Sequence, residues 1–383
     1  MNQKELNEIR RRFRLDKNNI SRIYGCYVNN SGEIISYIDE SLGTMSAEDA
    51  EMYIGFIKKA LSGTLGRNLT DIEFTADQVE DSDEHALLMK LRDSALADSE
   101  AREEFYKKVI ETVKIDESNY LILLVSDSYD VPFKAKDDEI FEDGSTDIFK
   151  YIVCCICPVR TPSLAMKFFN EELEFHSSST GQLVQNPELG FMFPAFDERS
   201  ANIYNALFYT KNVSLTWQGF TDAIFSSKPV ISIPEQKNIF ESSIEDTLEN
   251  ECEFDIMQAL HEQMCVRIED HKESKNPEVL QITPGEICSI LKSSGVSEDH
   301  AESFREICTE KLGEGGMLNP KNIINDKKFE IKMDEVSISA SPKFAHLIET
   351  RIIDNRKYVL VPADGEVCVN GIPVRFGAPV DEN

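Results

Sequence analysis

Tyr120-Leu121-Ile122-Leu123-Leu124-Val125-Ser126 and Phe149-Lys150-Tyr151-Ile152-Val153-Cys154-Cys155-Ile156-Cys157 are the two densest runs of strand-forming residues in the chain. Their apolar stretches fall far short of the ~20 residues that a bilayer-spanning helix needs. Both read as β-strands, neighbours in one sheet, joined by a polar and acidic excursion over residues 134–147. Leu173–His176 and Leu189–Phe193 offer further strands, so an α+β core is expected in the middle of the chain.

Upstream of this pair, Leu88, Leu91, Leu96, Phe105, Val109 and Val113 recur at helical spacing over residues 85–113, after an acidic stretch at 77–84. Ser46 and Asp49 form a capping box for a helix from 47 to about 61, with Tyr53, Phe56, Ile57, Ala60 and Leu61 on its buried stripe and Gly63 as its stop. Residues 22–28 and 33–38 read as a hairpin turning at Asn29-Asn30-Ser31-Gly32. Leu6, Ile9 and Phe13 give residues 3–14 an amphipathic helical pattern.

Downstream, residues 198–209 read as a short helix capped by Asp197. Residues 213–225 fit a strand or a helix, and Pro229 and Pro234 bracket an extended piece. A polar, acidic helical pattern runs from 235 to 272. Thr283-Pro284-Gly285-Glu286 is a strong helix start, because Thr283 caps, Pro284 lacks only an N–H that would be unpaired anyway, and Glu286 closes the box. A helix over 284–293 and a second from Ser297 to Gly313 make a helical hairpin. It holds Lys292, Arg305 and Lys311 against six acidic residues, too few positive charges for a DNA-reading surface.

After a linker at Gly313–Asn319 the pattern turns to short strands at 328–333, 335–340, 351–354, 356–361, 366–369 and 372–376. Asp354-Asn355 and Asn370-Gly371 are the turn dipeptides of tight hairpins. The fold class expected is therefore α+β: a central mixed α/β body at 1–234, an acidic helical region at 235–313, and a small antiparallel β module at 320–383.

Composition bounds the function classes. A chain of 383 residues exceeds the usual size of one core, and its 41% hydrophobic content suffices for two or three. The net charge of -29 disfavours a diffuse embrace of nucleic acid or an anionic membrane. The amino-terminal residues lack an apolar signal region, and the nine cysteines are odd in number and mostly set among apolar neighbours. A cytoplasmic protein with reduced core cysteines is expected, with no membrane partner.

Cys154-Cys155-x-Cys157 is the most conspicuous cluster of potential ligands. In a strand, Cys155 and Cys157 share one face while Cys154 lies on the other, and no second paired Cys/His motif exists to complete a zinc site. No metal or cofactor is expected. Gly63-Thr64-Leu65-Gly66-Arg67-Asn68 lacks the Gly-Lys-Ser/Thr ending of a phosphate loop and reads as a helix end and turn.

Two groups remain as candidate sites. Asp197, Glu198, Arg199, Asn202 and Asn205 follow an aromatic strand that ends at Pro194, a place where polar groups converge on ligands in many mixed folds. Arg10, Arg11, Arg12 and Arg14 lie in the only sizeable basic region, where residues 1–30 hold seven basic and three acidic side chains. They are candidates for a polyanion, or for docking on the protein's own acidic surface.

Ile9–Phe13, Arg22-Ile23-Tyr24-Gly25-Cys26-Tyr27, Cys157-Pro158-Val159, Phe193–Asn205, Asp354–Val361 and Val369–Gly371 together resemble a family of uncharacterised bacterial proteins. That family, found in clostridia and relatives, is classed as a domain of unknown function. The resemblance implies a bacterial cytosolic protein and brings no activity or catalytic residue with it. The residues themselves point first to a binding or regulatory protein with a protein partner. The alternatives are a hydrolase-like or phosphoester-acting enzyme using 197–205, and an RNA- or ribosome-associated protein using the amino-terminal arginines.

Overall fold

The computed structural model describes residues 1–375 apart from 117, 135–139, 142–146, 163–164, 170–172, 179–180, 227–229, 249–251, 314 and 364. Most of the 134–147 excursion, Pro229, Glu314 within the expected linker, and the last residue of the 372–376 strand lie outside the described residues. The chain divides into two compact units, Met1–Glu235 with Pro277–Val279, and Gln236–Asn276 with Leu280–Asn383.

In the first unit, α1 (Gln3–Arg10) leads into a hairpin of β1 (Arg22–Val28) and β2 (Ile34–Ser41), then α2 (Ala47–Lys59) and β3 (Leu69–Glu73). Three helices follow: α3 (Ala76–Asp81), α4 (Asp83–Asp93) and α5 (Ser99–Thr112). The long β4 (Asn119–Val131) pairs through thirteen residues with β7 (Asp147–Arg160). Short β5 (Phe133–Lys134) and β6 (Ile140–Phe141) lie between them in the chain. A separate hairpin joins β8 (Ala165–Phe169) to β9 (Glu174–Ser178), and β10 (Leu183–Val184) precedes β11 (Leu189–Phe193). A small hairpin of β12 (Ala195–Asp197) and β13 (Ser200–Asn202) leads to β14 (Asn205–Thr210), and α6 (Gln218–Phe225) closes the unit.

The main sheet runs β2-β1-β4-β7-β11-β14-β3, with β10 beside β7. All its pairings are antiparallel. It is buried on both faces, which is why its central strands are apolar at successive positions rather than alternate ones. On one face Leu88, Leu91, Phe105, Val109, Phe220 and Phe225 of α4, α5 and α6 meet Ile122, Leu124, Cys154, Ile156, Phe191 and Phe208. On the other, Leu6, Ile9, Ile54 and Ile57 of α1 and α2 meet Leu121, Leu123, Cys155, Cys157, Met192 and Leu207. Each such side chain contributes about 1.5–3 kcal/mol on burial. At Gly190 the strands and α2 approach so closely that a Cβ would lie 2.5 Å from the Cys154 carbonyl oxygen and 3.0 Å from the Ala60 Cβ.

Three expectations for this unit change. The helix over 198–209 is instead the β12–β13 hairpin followed by β14, and Glu198 and Arg199 form its turn at φ 48° and 61°. The helical pattern over 85–113 resolves into α4 and α5, broken where Ala95 and Leu96 adopt positive φ. The ambiguous 213–225 segment contributes α6.

In the second region of the chain, α7 (Ile233–Leu248) and α8 (Phe254–Glu273) replace the single long helical pattern, with Pro234 in the first turn of α7 where no N–H is required. The helices α9 (Pro284–Ser293) and α10 (Glu298–Leu312) form the expected helical hairpin, and the Thr283–Glu286 capping box is present. A short α11 (Pro320–Ile323) precedes three successive hairpins. These are β15 (Phe329–Met333) with β16 (Val336–Ala340), β17 (Glu349–Ile353) with β18 (Arg356–Leu360), and β19 (Val367–Val369) with β20 (Ile372–Val374). Phe329, Ala345 and Ile348 make a small core touching Phe254 and Val359, and Gln258 donates to the carbonyls of Ala345 at 2.6 Å and Ile348 at 3.1 Å. Both turn dipeptides take positive φ at their two residues, as two-residue hairpins of this hand require. Among the described residues no helix is long and apolar enough to cross a membrane.

Candidate functional site

One member of each candidate group, Arg12 and Arg199, reaches a common cluster, Arg12 over the ring of Tyr129 and Arg199 on the Glu8 carboxylate that accepts from the Tyr129 hydroxyl. α1 begins with Asn2 capping it and Glu5 completing the box, and its Leu6 and Ile9 are fully buried against the sheet. That anchorage sets the polar face of α1 beside the ends of β4 and β7 and beside the β12–β13 hairpin.

Asp127, buried near the end of β4, organises the first half of the cluster. Its carboxylate accepts from Arg12 Nε at 3.1 Å and Nη2 at 3.2 Å. It also accepts from the backbone N–H of Asn19 at 2.8 Å and of Ser128 at 2.9 Å, and from the Tyr151 hydroxyl at 2.6 Å. A carboxylate so enclosed needs this many donors to offset its lost hydration. Arg12 adds a bond to the Ser128 carbonyl at 3.0 Å and lies 4.4 Å from the centre of the Tyr129 ring. Burial pulls the Arg12 guanidinium down, but its hydrogen bonds and charge pairing with Asp127 outweigh that and raise it overall. Burial, with Asp127 beside it, holds the Tyr151 hydroxyl well above the ordinary range.

Glu8 organises the second half. It accepts from Arg199 Nη1 at 2.6 Å and from the Tyr129 hydroxyl at 2.7 Å, while Arg199 Nη2 donates to the Pro132 carbonyl at 2.7 Å. Burial, followed by the hydrogen bond to Glu8, pushes Tyr129 up to about 12. Asp197 accepts from Asn202 Nδ2 at 3.1 Å, and Asn202 Oδ1 accepts from the backbone N–H of Tyr204 at 3.0 Å. The Met1 amino nitrogen lies 3.7 Å from both Asp71 and Asp197. Burial raises the carboxyls of Asp71 and Glu5 above their ordinary range.

The remaining candidates are distributed around this cluster. Glu198 is exposed on the hairpin turn, and Asn205 is half-buried at the start of β14. Arg10 donates to the carbonyls of Leu61 at 2.6 Å and Gly63 at 2.8 Å, so it ties α1 to the turn after α2. Arg11 is exposed, and Arg14 is exposed with Asp16 at 3.1 Å. Arg10 and Arg12 thus face the protein, while Arg11 and Arg14 face solvent.

Asp127, Tyr129, Tyr151 and Glu8 are the members of this cluster that sequence reasoning missed. Isolated carboxylates and tyrosines carry no spacing signal, and only the placement of α1 on the sheet shows their relation. The alternation in β7 gave the one available hint, since Tyr151, Cys155 and Cys157 fall on the face that α1 covers.

The cysteine strand has the disposition that strand alternation requires. Cys154 packs in one core, while Cys155 and Cys157 pack in the other with their sulfurs 3.9 Å apart. Burial raises the Cys154 and Cys155 thiols well above their ordinary value, opposing thiolate chemistry. Among the described residues no three His, Cys, Asp or Glu side chains are grouped to hold a metal ion. His85 is buried with its Nε2 2.9 Å from the Ile203 carbonyl oxygen, between the rings of Phe74 and Phe193. An open depression of about 440 Å³ lies elsewhere, lined by Gly32, Ile34, Glu103, Lys107, Ile110 and Glu111.

The family model for a domain of unknown function, DUF4317, matches residues 1–372, so the chain belongs to that family. No curated protein and no solved structure matches it.

Proposed function

We propose that this family member is a binding or regulatory protein whose main contact surface is the series of hairpins after α11. The observation that carries this reading is the exposure of apolar side chains on hairpins that, among the described residues, have two strands each. Ile352 is 72% exposed, Ile372 67% and Val336 53%. A two-stranded hairpin is marginal in water, and a surface of this apolar content is of the kind that a partner protein covers.

The polar cluster supports the same preference. Asp197, Arg199 and Arg12 are engaged with Asn202, Glu8 and Asp127, which favours a structural clasp over a hydrolytic or phosphoester-cleaving centre. The inward bonds of Arg10 and Arg12 likewise favour an arm docked on its own protein over one reserved for RNA.

A photo-reactive amino acid placed at position 352 tests the proposal in the cell of origin. The expected result is a covalent adduct with one discrete protein, lost when a second substitution, Ile372→Asp, is added. Diffuse labelling that is unaffected by Ile372→Asp overturns it.

A further inference from the structure

We infer that β2 is a docking edge for an extended, basic segment of a partner protein, and that one long basic side chain of that segment enters the depression beside it. This rests on the reading of the chain as a protein-binding one, but it concerns a different surface and gives the partner a chemistry.

Among the described residues β2 ends the main sheet, pairing with β1 on one side only. Alternate residues of such a strand direct their N–H and C=O groups away from the sheet, where an added strand can take them up. Five of the eight residues of β2 are exposed, Ile35 at 54%, Tyr37 at 57%, and Ser36, Asp39 and Glu40, while Ile34, Ile38 and Ser41 are half-buried. Both large side chains are unusual on an edge left to face water.

The depression adjoins this edge. Its floor is Gly32 and Ile34, at the turn and start of β2, and its wall is α5, where Glu103, Lys107 and Glu111 recur every fourth residue along one face. Tyr37 reaches across to the same wall, its hydroxyl donating to Glu103 at 3.0 Å. Strand addition draws affinity from the main chain and selectivity from pockets for alternate side chains, and this edge supplies both.

Charge decides the occupant. Glu33, Asp39 and Glu40 lie on or beside β2, and Glu103, Glu104 and Glu111 lie on α5. Arg22 pairs with Asp39, and Lys107 stands between two glutamates. A second copy of this chain adding through the same edge brings the same carboxylates face to face, which is repulsive. A segment carrying lysine or arginine at alternate positions meets them with opposite charge. Lys107 opposes such a segment, so Lys107→Glu is expected to tighten binding.

The test uses the full chain and two labelled nine-residue peptides, one alternating lysine with valine and the other glutamate with valine. The expected result is binding of the basic peptide at least about tenfold tighter than the acidic one, with slowed amide hydrogen exchange at residues 35–40. Glu103→Lys with Glu111→Lys, both on the exposed side of α5, should weaken the basic peptide by about tenfold without changing the circular dichroism spectrum. General attraction to an acidic protein would leave the β2 amides unprotected and the double variant unaffected. That outcome, or no binding of the basic peptide, overturns the inference. The broader protein-binding reading stands or falls separately on crosslinking at position 352, which does not involve β2.

Discussion

Replacing Arg12 by alanine separates an arm built into the fold from one held in reserve for a ligand. The substitution removes two bonds to Asp127 and one to the Ser128 carbonyl, together with the contact over the Tyr129 ring. It leaves a carboxylate whose side chain is 1% exposed without its countercharge. Breaking a buried ion pair on one side costs about 3–5 kcal/mol. Asp127 keeps the donors of Asn19, Ser128 and Tyr151, so about 3 kcal/mol is the figure expected here. For a unit of this size that corresponds to a fall of roughly 6–12 °C in melting temperature. Trp217, the only tryptophan in the chain, packs against the core of the first unit, so its fluorescence during urea unfolding reports that unit. Arg14→Ala is the control, because its exposed pair with Asp16 should be worth no more than about 0.5 kcal/mol. Combining Arg12→Met with Asp127→Asn should recover part of the loss, since neither partner then leaves a buried charge. Equal midpoints for Arg12→Ala and Arg14→Ala would refute the reasoning.

Other perturbations bear on separate parts of the molecule. In the folded protein Cys252 and Cys368 are exposed and should be alkylated first, whereas buried Cys154, Cys155 and Cys157 should resist until unfolding. Mass spectrometry of a timed iodoacetamide reaction checks this, and early labelling at 154–157 would contradict it. Gly190→Ala places a methyl group 2.5 Å from the Cys154 carbonyl oxygen, so an overpacking loss of about 1–3 kcal/mol is expected in the Trp217-monitored transition. The hydrogen bond from the Thr283 backbone, with Arg267 adding to it, holds the Glu286 carboxyl below its ordinary 4.5. Its contribution is therefore present above that value and lost as pH falls through the lower folded one. Glu286→Gln should reduce the stability of the α9 region at pH 7, with the difference from wild type vanishing in acid, as followed by hydrogen exchange across residues 284–293.

Much of the secondary structure was legible where local chemistry is strong. The β4 and β7 runs, the Ser46 and Thr283 starts, and the Asp354-Asn355 and Asn370-Gly371 turns all stand where the sequence places them. The segment after Pro194 reads as a helix in sequence because its hairpin turn uses Glu198-Arg199, residues with no strong preference for positive φ. Polar residues spaced three apart then imitated a helix surface, while pairing of β14 with β11 and β3 fixed the strand. β3 was not legible at all, since Leu69–Glu73 is an edge strand with only two buried residues.

The sequence by itself determined the α+β class, the alternation of Cys154 against Cys155 and Cys157, the two central strands and the hairpins after α11. These follow from side-chain period and turn chemistry, which act over a few residues. Only the tertiary structure decided that β3 and β14 close the sheet, that Arg12 and Arg199 are linked through Tyr129 and Glu8, and that β2 is left at the edge of the described sheet. Those facts depend on contacts between residues up to 191 positions apart, as in Arg199 with Glu8, where no local pattern reports which charges will face each other once apolar burial has fixed the layers.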